Sequence, residues 1–182
     1  NLAIQGLLFS HRKHFVSIAT EHKAVLETCA FMERLGFEIS CLAVDEQGMP
    51  DLVLLTETIR EDTALVCSML VNNETGVVLP IKEIAEIAHQ RNALVLCDAT
   101  QAVGKMPVNT RELGVDLLAF SAHKFYGPKG IGGLYIGEQA TKVLSPIMQG
   151  GGQQQGWRGG TLNTTGIIGM AAALRIAVSE LE

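Results

Sequence analysis

The chain has 182 residues, enough for one domain of ordinary size with its own core. Hydrophobic residues make up 47% and charged residues 18%, which argues against long disorder, and a net charge of −5 argues against a general nucleic-acid binder. No apolar run approaches the roughly 18 residues that cross a bilayer; the nearest, Gly166 to Val178, is interrupted by Arg175.

The chain opens at Asn1 with no initiator Met and no signal pattern, and reads as cut from something longer. Its cysteines, Cys29, Cys41, Cys67 and Cys97, show neither C-x-x-C pairing nor zinc-ligand spacing. They read as four reduced, mostly buried thiols of a cytoplasmic protein.

In chain order, residues 14–19 predict a strand leading to Thr20, which caps a helix from about His22 to Leu35, stopped by Gly36. Val25, Cys29, Met32 and Leu35 follow helical spacing along it. Phe37 to Val44 predicts a second strand, Asp45 to Pro50 a turn, and Asp51 the cap of a short helix to Ile59. Thr63 to Leu70 is a third strand, ending in the polar loop Val71-Asn72-Asn73-Glu74-Thr75-Gly76. Pro80 suits the first turn of a helix to about Gln90, with Ile81, Ile84, Ile87 and Ala88 on one face.

Two apolar runs then end abruptly in polar residues: Ala93 to Cys97 before Asp98, and Leu117 to Phe120 before Ser121, His123 and Lys124. Such runs are the pattern of buried strands in a parallel sheet. Leu134 to Ile136 is a further strand, Gly150 to Gly160 a glycine-rich loop, and Thr165 to Glu182 the last helix. The alternation predicts an α/β fold, a three-layer sandwich with a mostly parallel sheet, in one domain spanning 1–182.

Ligands of open α/β sheets sit beyond the carboxyl ends of the strands, and both Asp98 and Lys124 fall there. By residue type alone a lysine is a solvated surface charge. Lys124, however, follows an apolar strand and precedes a glycine-rich turn, and a lysine in a partly dry site gives up its proton more easily. A carboxylate such as Asp98 at the end of a buried strand calls for a cationic partner, either a pyridinium nitrogen or a structural Lys or Arg. An amine and a carboxylate converging on one small molecule are the minimum equipment of a pyridoxal phosphate (PLP) site. Ser121, His123 and the amides of the glycine-rich turns suit a phosphate. His22 is either a surface histidine at a helix start or a ring that stacks on a flat ligand.

Five motifs in order resemble cysteine desulfurases of the NifS/IscS type, within the class V aminotransferases, PLP enzymes of fold type I. They are Thr20-Glu21-His22-Lys23-Ala24-Val25-Leu26, the loop Val71 to Gly76, Asp98-Ala99-Thr100-Gln101, Ser121-Ala122-His123-Lys124 with Tyr126 to Gly130, and Gly150-Gly151-Gly152 through Arg158-Gly159-Gly160-Thr161. The resemblance implies the large PLP-binding domain of that fold. Lys124 would carry PLP covalently and Asp98 would pair with its ring nitrogen. Gln101 and Asn73 would bond the phenolic oxygen or orient substrate. His22 would stack on the ring and shuttle protons, Ser121 and His123 would hold the phosphate, and Thr161 would reach the phosphate of the other subunit of a homodimer.

The reaction implied converts L-cysteine to L-alanine and hands sulfur, as a persulfide, to an iron–sulfur scaffold or other acceptor protein. The implied nucleophilic cysteine and substrate-gripping arginine lie in a smaller C-terminal domain beyond Glu182, so the 182 residues alone are expected to be inactive. Another class V enzyme, a selenocysteine lyase or an aminotransferase, is the alternative, and an inactive PLP-domain fragment is a second. No nucleic acid, membrane or metal is expected as a partner.

Overall fold

His14–Ile18 (β1) and Thr63–Met69 (β3) are buried at every residue, and the sheet is built outward from them. Strands covered on both faces have no use for alternation, which explains why both are mostly apolar with no polar face. The computed structural model describes residues 1–181. Glu38–Leu42 (β2), Leu94–Asp98 (β4), Leu117–Ser121 (β5) and Gly132–Ile136 (β6) complete a six-stranded sheet in the order β2-β1-β3-β4-β5-β6. All neighbours are parallel except β5 and β6, which run antiparallel with Ser121 opposite Gly132.

Helices cover both faces, as the expected three layers require. On one face pack Leu2–Gln5 (α1), Lys23–Glu33 (α2) and Glu138–Thr141 (α6), through Ile4, Val25, Cys29, Met32 and Ala140 onto Phe15, Leu65 and Leu96. On the other lie Leu52–Thr58 (α3), Ile81–His89 (α4), Thr110–Leu113 (α5) and Thr164–Ser179 (α7), with Leu55, Ile81, Ile84, Ala88 and Leu174 against Val16, Val66 and Val95. Fully burying one such aliphatic or aromatic side chain stabilises by roughly 1.5–3 kcal/mol.

Asp51 caps α3 as expected, its Oδ1 accepting from the N–H groups of Val53 (2.8 Å) and Leu54 (3.1 Å). Pro80 precedes the first residue of α4.

Four expectations are corrected. The cap of α2 is His22, not Thr20: its Nδ1 accepts from Ala24 N–H at 3.1 Å, while the Thr20 carbonyl serves the Asn72 amide. Leu35 lies past the end of that helix and is 45% exposed, so the buried stripe stops at Met32. The short α1, α5 and α6, each about one turn, carry no readable periodicity and are additions. The last helix ends at Ser179, and Glu182 lies outside the described residues. Of the cysteines, Cys29, Cys67 and Cys97 are buried and Cys41 is exposed, all unpaired. Among the described residues no helix is long and apolar enough to cross a membrane.

Candidate active site

Four adjacent parallel strands, β1, β3, β4 and β5, deliver their carboxyl ends to one edge of the sheet. Each passes there into a polar loop, and the loops surround a cavity of about 370 Å³. His22 enters it after β1, Asn73 after β3, Asp98 and Gln101 from the end of β4, and Ser121, His123 and Lys124 from the end of β5. Seven of the eight candidate residues therefore line one cavity, Asp98 and Lys124 among them. Thr161 does not; it lines a separate cleft of about 870 Å³ beside β6, with Trp157 and Arg158.

Asp98 is half-buried. Its Oδ1 accepts from Thr100 N–H at 2.9 Å, and Oδ2 has no hydrogen bond to the described residues. Among those residues no Lys, Arg or His forms an ion pair with it. Among the described residues the structural Lys or Arg left open by the sequence is therefore absent, and Asp98 lines the cavity. Lys124 sits in the 3₁₀ turn Ala122–Phe125, half-buried, and likewise without an ion pair among the described residues. The turn is closed by Tyr126 in the left-handed conformation at φ 64°.

The remaining polar groups are oriented by neighbours. His22 Nδ1 accepts from a backbone N–H, so it carries no proton and the ring proton sits on Nε2. Gln101 Oε1 accepts from Lys105 Nζ at 2.7 Å, leaving the amide nitrogen as its free donor. Ser121 Oγ and His123 Nδ1 are 2.8 Å apart. Asn72 and Asn73 divide their work. Asn72 is buried, its Oδ1 accepting from Glu74 N–H and Thr75 N–H at 2.9 Å each, which folds the loop that presents Asn73.

Sequence reasoning missed Thr100 and the apolar lining from Met69 and Val71. An Asp followed two residues later by a residue with a free N–H is the recognisable signal for the first; the second depends on strand pairing. None of the four cysteines lines the cavity. Burial pushes the Cys41 and Cys97 thiols up. Cys67 is held up by its hydrogen bond with Cys29, which is itself lowered by the same bond. Their environments do not prepare Cys41, Cys67 or Cys97 as nucleophiles.

The residues fit PLP on chemistry as well as space. A cavity of this size lies in the range of small-molecule sites. It offers a carboxylate oxygen and an amine that have no ion pair among the described residues, an imidazole of fixed tautomer, and a Ser–His pair suited to phosphate oxygens.

Comparison with known proteins gives concordant results. The family model described as Aminotransferase class-V matches residues 1–182. Cysteine desulfurase IscS of Haemophilus ducreyi is 50% identical over 184 residues, covering 100% of this chain and 45% of that protein. The mitochondrial cysteine desulfurase of Arabidopsis thaliana is 44% identical, covering 100% of this chain and 41% of its own length. A solved structure of SspA in complex with cysteine superposes with a TM-score of 0.91 at 39% identity, over 96% of this chain and 51% of SspA. The chain thus spans about half the length of the proteins it matches.

Proposed function

The chain belongs to the aminotransferase class-V family, and from that premise we propose that it is the PLP-holding large domain of a cysteine desulfurase. The whole protein would convert L-cysteine to L-alanine and pass the sulfur on as a persulfide. The observation that carries this reading is the presence, in one cavity, of a lysine and a carboxylate that have no ion pair among the described residues.

When bound, PLP withdraws electrons from the substrate Cα. Lys124 would hold it covalently from its half-buried place in the 3₁₀ turn Ala122–Phe125. Asp98 would keep a proton on the ring nitrogen through Oδ2, with Oδ1 fixed by Thr100. The Gln101 amide would donate to the phenolic oxygen, with Asn73 beside it. His22 would stack on the ring and move protons at Nε2, its orientation set by Ala24. Ser121 and His123 would bind phosphate, and Thr161, in its own cleft, would serve the phosphate of a second copy in a homodimer.

L-cysteine as substrate is supported by the likeness to SspA, whose structure contains it. A sulfur-acceptor or scaffold protein of iron–sulfur assembly is the partner this chemistry requires. The cytoplasm suits the three buried free thiols; the mitochondrial relative makes cell fractionation the check.

Borohydride reduction of the PLP-treated protein followed by peptide mapping tests the site. The label is expected on Lys124; a label on Lys105 or Lys129 overturns the assignment.

A further inference from the structure

Where β1 ends, its seam with β3 is closed by side chains. The two strands pair as far as Ser17 and Cys67. Beyond that point Ala19 N–H turns to Leu42 O on the β2 side, and Met69 N–H, which faces β1, has no strand carbonyl to meet. Glu21 takes that place, its Oε1 accepting from Met69 N–H at 2.5 Å. Beside it, Asn72 Nδ2 donates to Thr20 O at 3.1 Å. These two bonds hold the segment carrying His22 onto the end of β3, next to the cavity lined by Met69 and its register partner Asp98.

Glu21 is 5% exposed, and its Oε2 is buried with no hydrogen-bond partner. Around it lie Asp98 and Cys97 on β4, Cys67 on β3, Cys41 on β2 and Cys29 on α2; the amino group of Asn1 faces Cys29, Cys67 and Asp98 of this set, and among the described residues no cation forms an ion pair with Glu21. Burial pushes its carboxyl up to about 8, so it is protonated at neutral pH. Ionised, it would be an unpaired charge in a dry seam beside a second carboxylate.

We propose that neutral Glu21 is a positioning residue of this site, replacing the missing strand carbonyl at Met69 and so holding His22 in place for the ligand. The inference rests on the PLP reading for the identity of that ligand. Ionisation of Glu21 loosens the seam, and the grip on PLP weakens as pH rises past about 8.

The test uses Glu21→Gln, which keeps an acceptor oxygen and cannot ionise, and Glu21→Ala, in the full chain. Two quantities are read: hydrogen exchange of the Met69 amide without PLP, and PLP affinity by absorbance at pH 6.5 and pH 9. Glu21→Ala is expected to speed the exchange and weaken PLP binding at pH 6.5 roughly tenfold each, the value of one hydrogen bond to a buried group. Glu21→Gln is expected to match the wild type at pH 6.5 within about twofold and to lose the wild-type weakening at pH 9. Equal weakening at pH 9 in wild type and Glu21→Gln, or unchanged Met69 exchange in Glu21→Ala, overturns the proposal. Failure of the wild-type protein to take up PLP defeats the cofactor reading instead, and the Met69 amide then decides the seam by itself.

Discussion

The two poles of the sheet treat their polar groups in opposite ways. At the amino ends of the strands nearly every one is partnered. Arg12 Nη1 donates to the carbonyls of Thr63, Arg91 and Asn92 at 3.1, 2.9 and 2.8 Å. His14, fully buried, has Nδ1 2.7 Å from Thr63 Oγ1 and Nε2 2.8 Å from Ser40 Oγ. Asp116 Oδ2 accepts from Val95 N–H and meets His89 at 2.9 Å. At the carboxyl ends Asp98 has an open oxygen and Lys124 has no ion pair among the described residues. A fold that completes one set of polar contacts and leaves the other incomplete marks the incomplete set as awaiting a ligand.

The largest effects that can break this contrast are at the carboxyl pole. Lys124→Ala is expected to abolish covalent PLP and its visible band while leaving the melting temperature near wild type; a band that survives removes Lys124 from its role. Asp98→Asn should still bind PLP but lower exchange of the substrate Cα hydrogen by about 100-fold or more, the scale of losing one electrostatic stabiliser. Exchange at the wild-type rate, followed by NMR in deuterated water, would count against the ring-nitrogen pairing.

At the amino pole the same kind of change costs stability instead. Arg12→Ala removes one part-buried bond, to the Thr63 carbonyl, and two exposed ones, and should lower unfolding free energy by about 1 kcal/mol, measured by urea titration, with PLP affinity unchanged. His14 sharpens the contrast through pH. Burial lowers its pKa from the usual 6.5, so the folded state favours the neutral ring. That contribution is whole above pH 6.5 and is lost as the pH falls, because the unfolded chain then binds a proton the folded one resists. Melting temperature should drop from pH 7.5 to pH 5, and His14→Gln should flatten the drop. The smallest effect belongs to Arg60, which bonds Glu38 at 2.7 Å and Asp62 at 2.9 Å on the exposed rim. Arg60→Ala is expected to change the melting temperature little, and less still in high salt.

How much of this was legible depended on whether a signal is local. β4 and β5 declare themselves by apolar runs that stop at polar residues, so Asp98 and Lys124 could be assigned to strand ends from the sequence. The one-turn helices α1, α5 and α6 are too short to show a period. The capping role of His22 and the burial of Glu21 depend on β1 leaving β3 after Ser17, an event set by partners some fifty positions away. Nothing in the run Thr20-Glu21-His22 announces which side chain turns inward. Thr161 was assigned by resemblance alone, and its position in the cleft beside β6 is not one that periodicity could supply.

The strand order has a consequence for how the site is dimensioned. Because neighbouring strands stand about 4.8 Å apart, the four tips from β1 to β5 form a ruler about 14 Å wide that the backbone itself graduates. A flat heterocycle with a short anionic tail is gauged by that ruler. Any insertion within one of these strands would turn its contribution to the opposite face, so evolutionary tinkering with substrate choice has room in the connecting loops and almost none in the graduations.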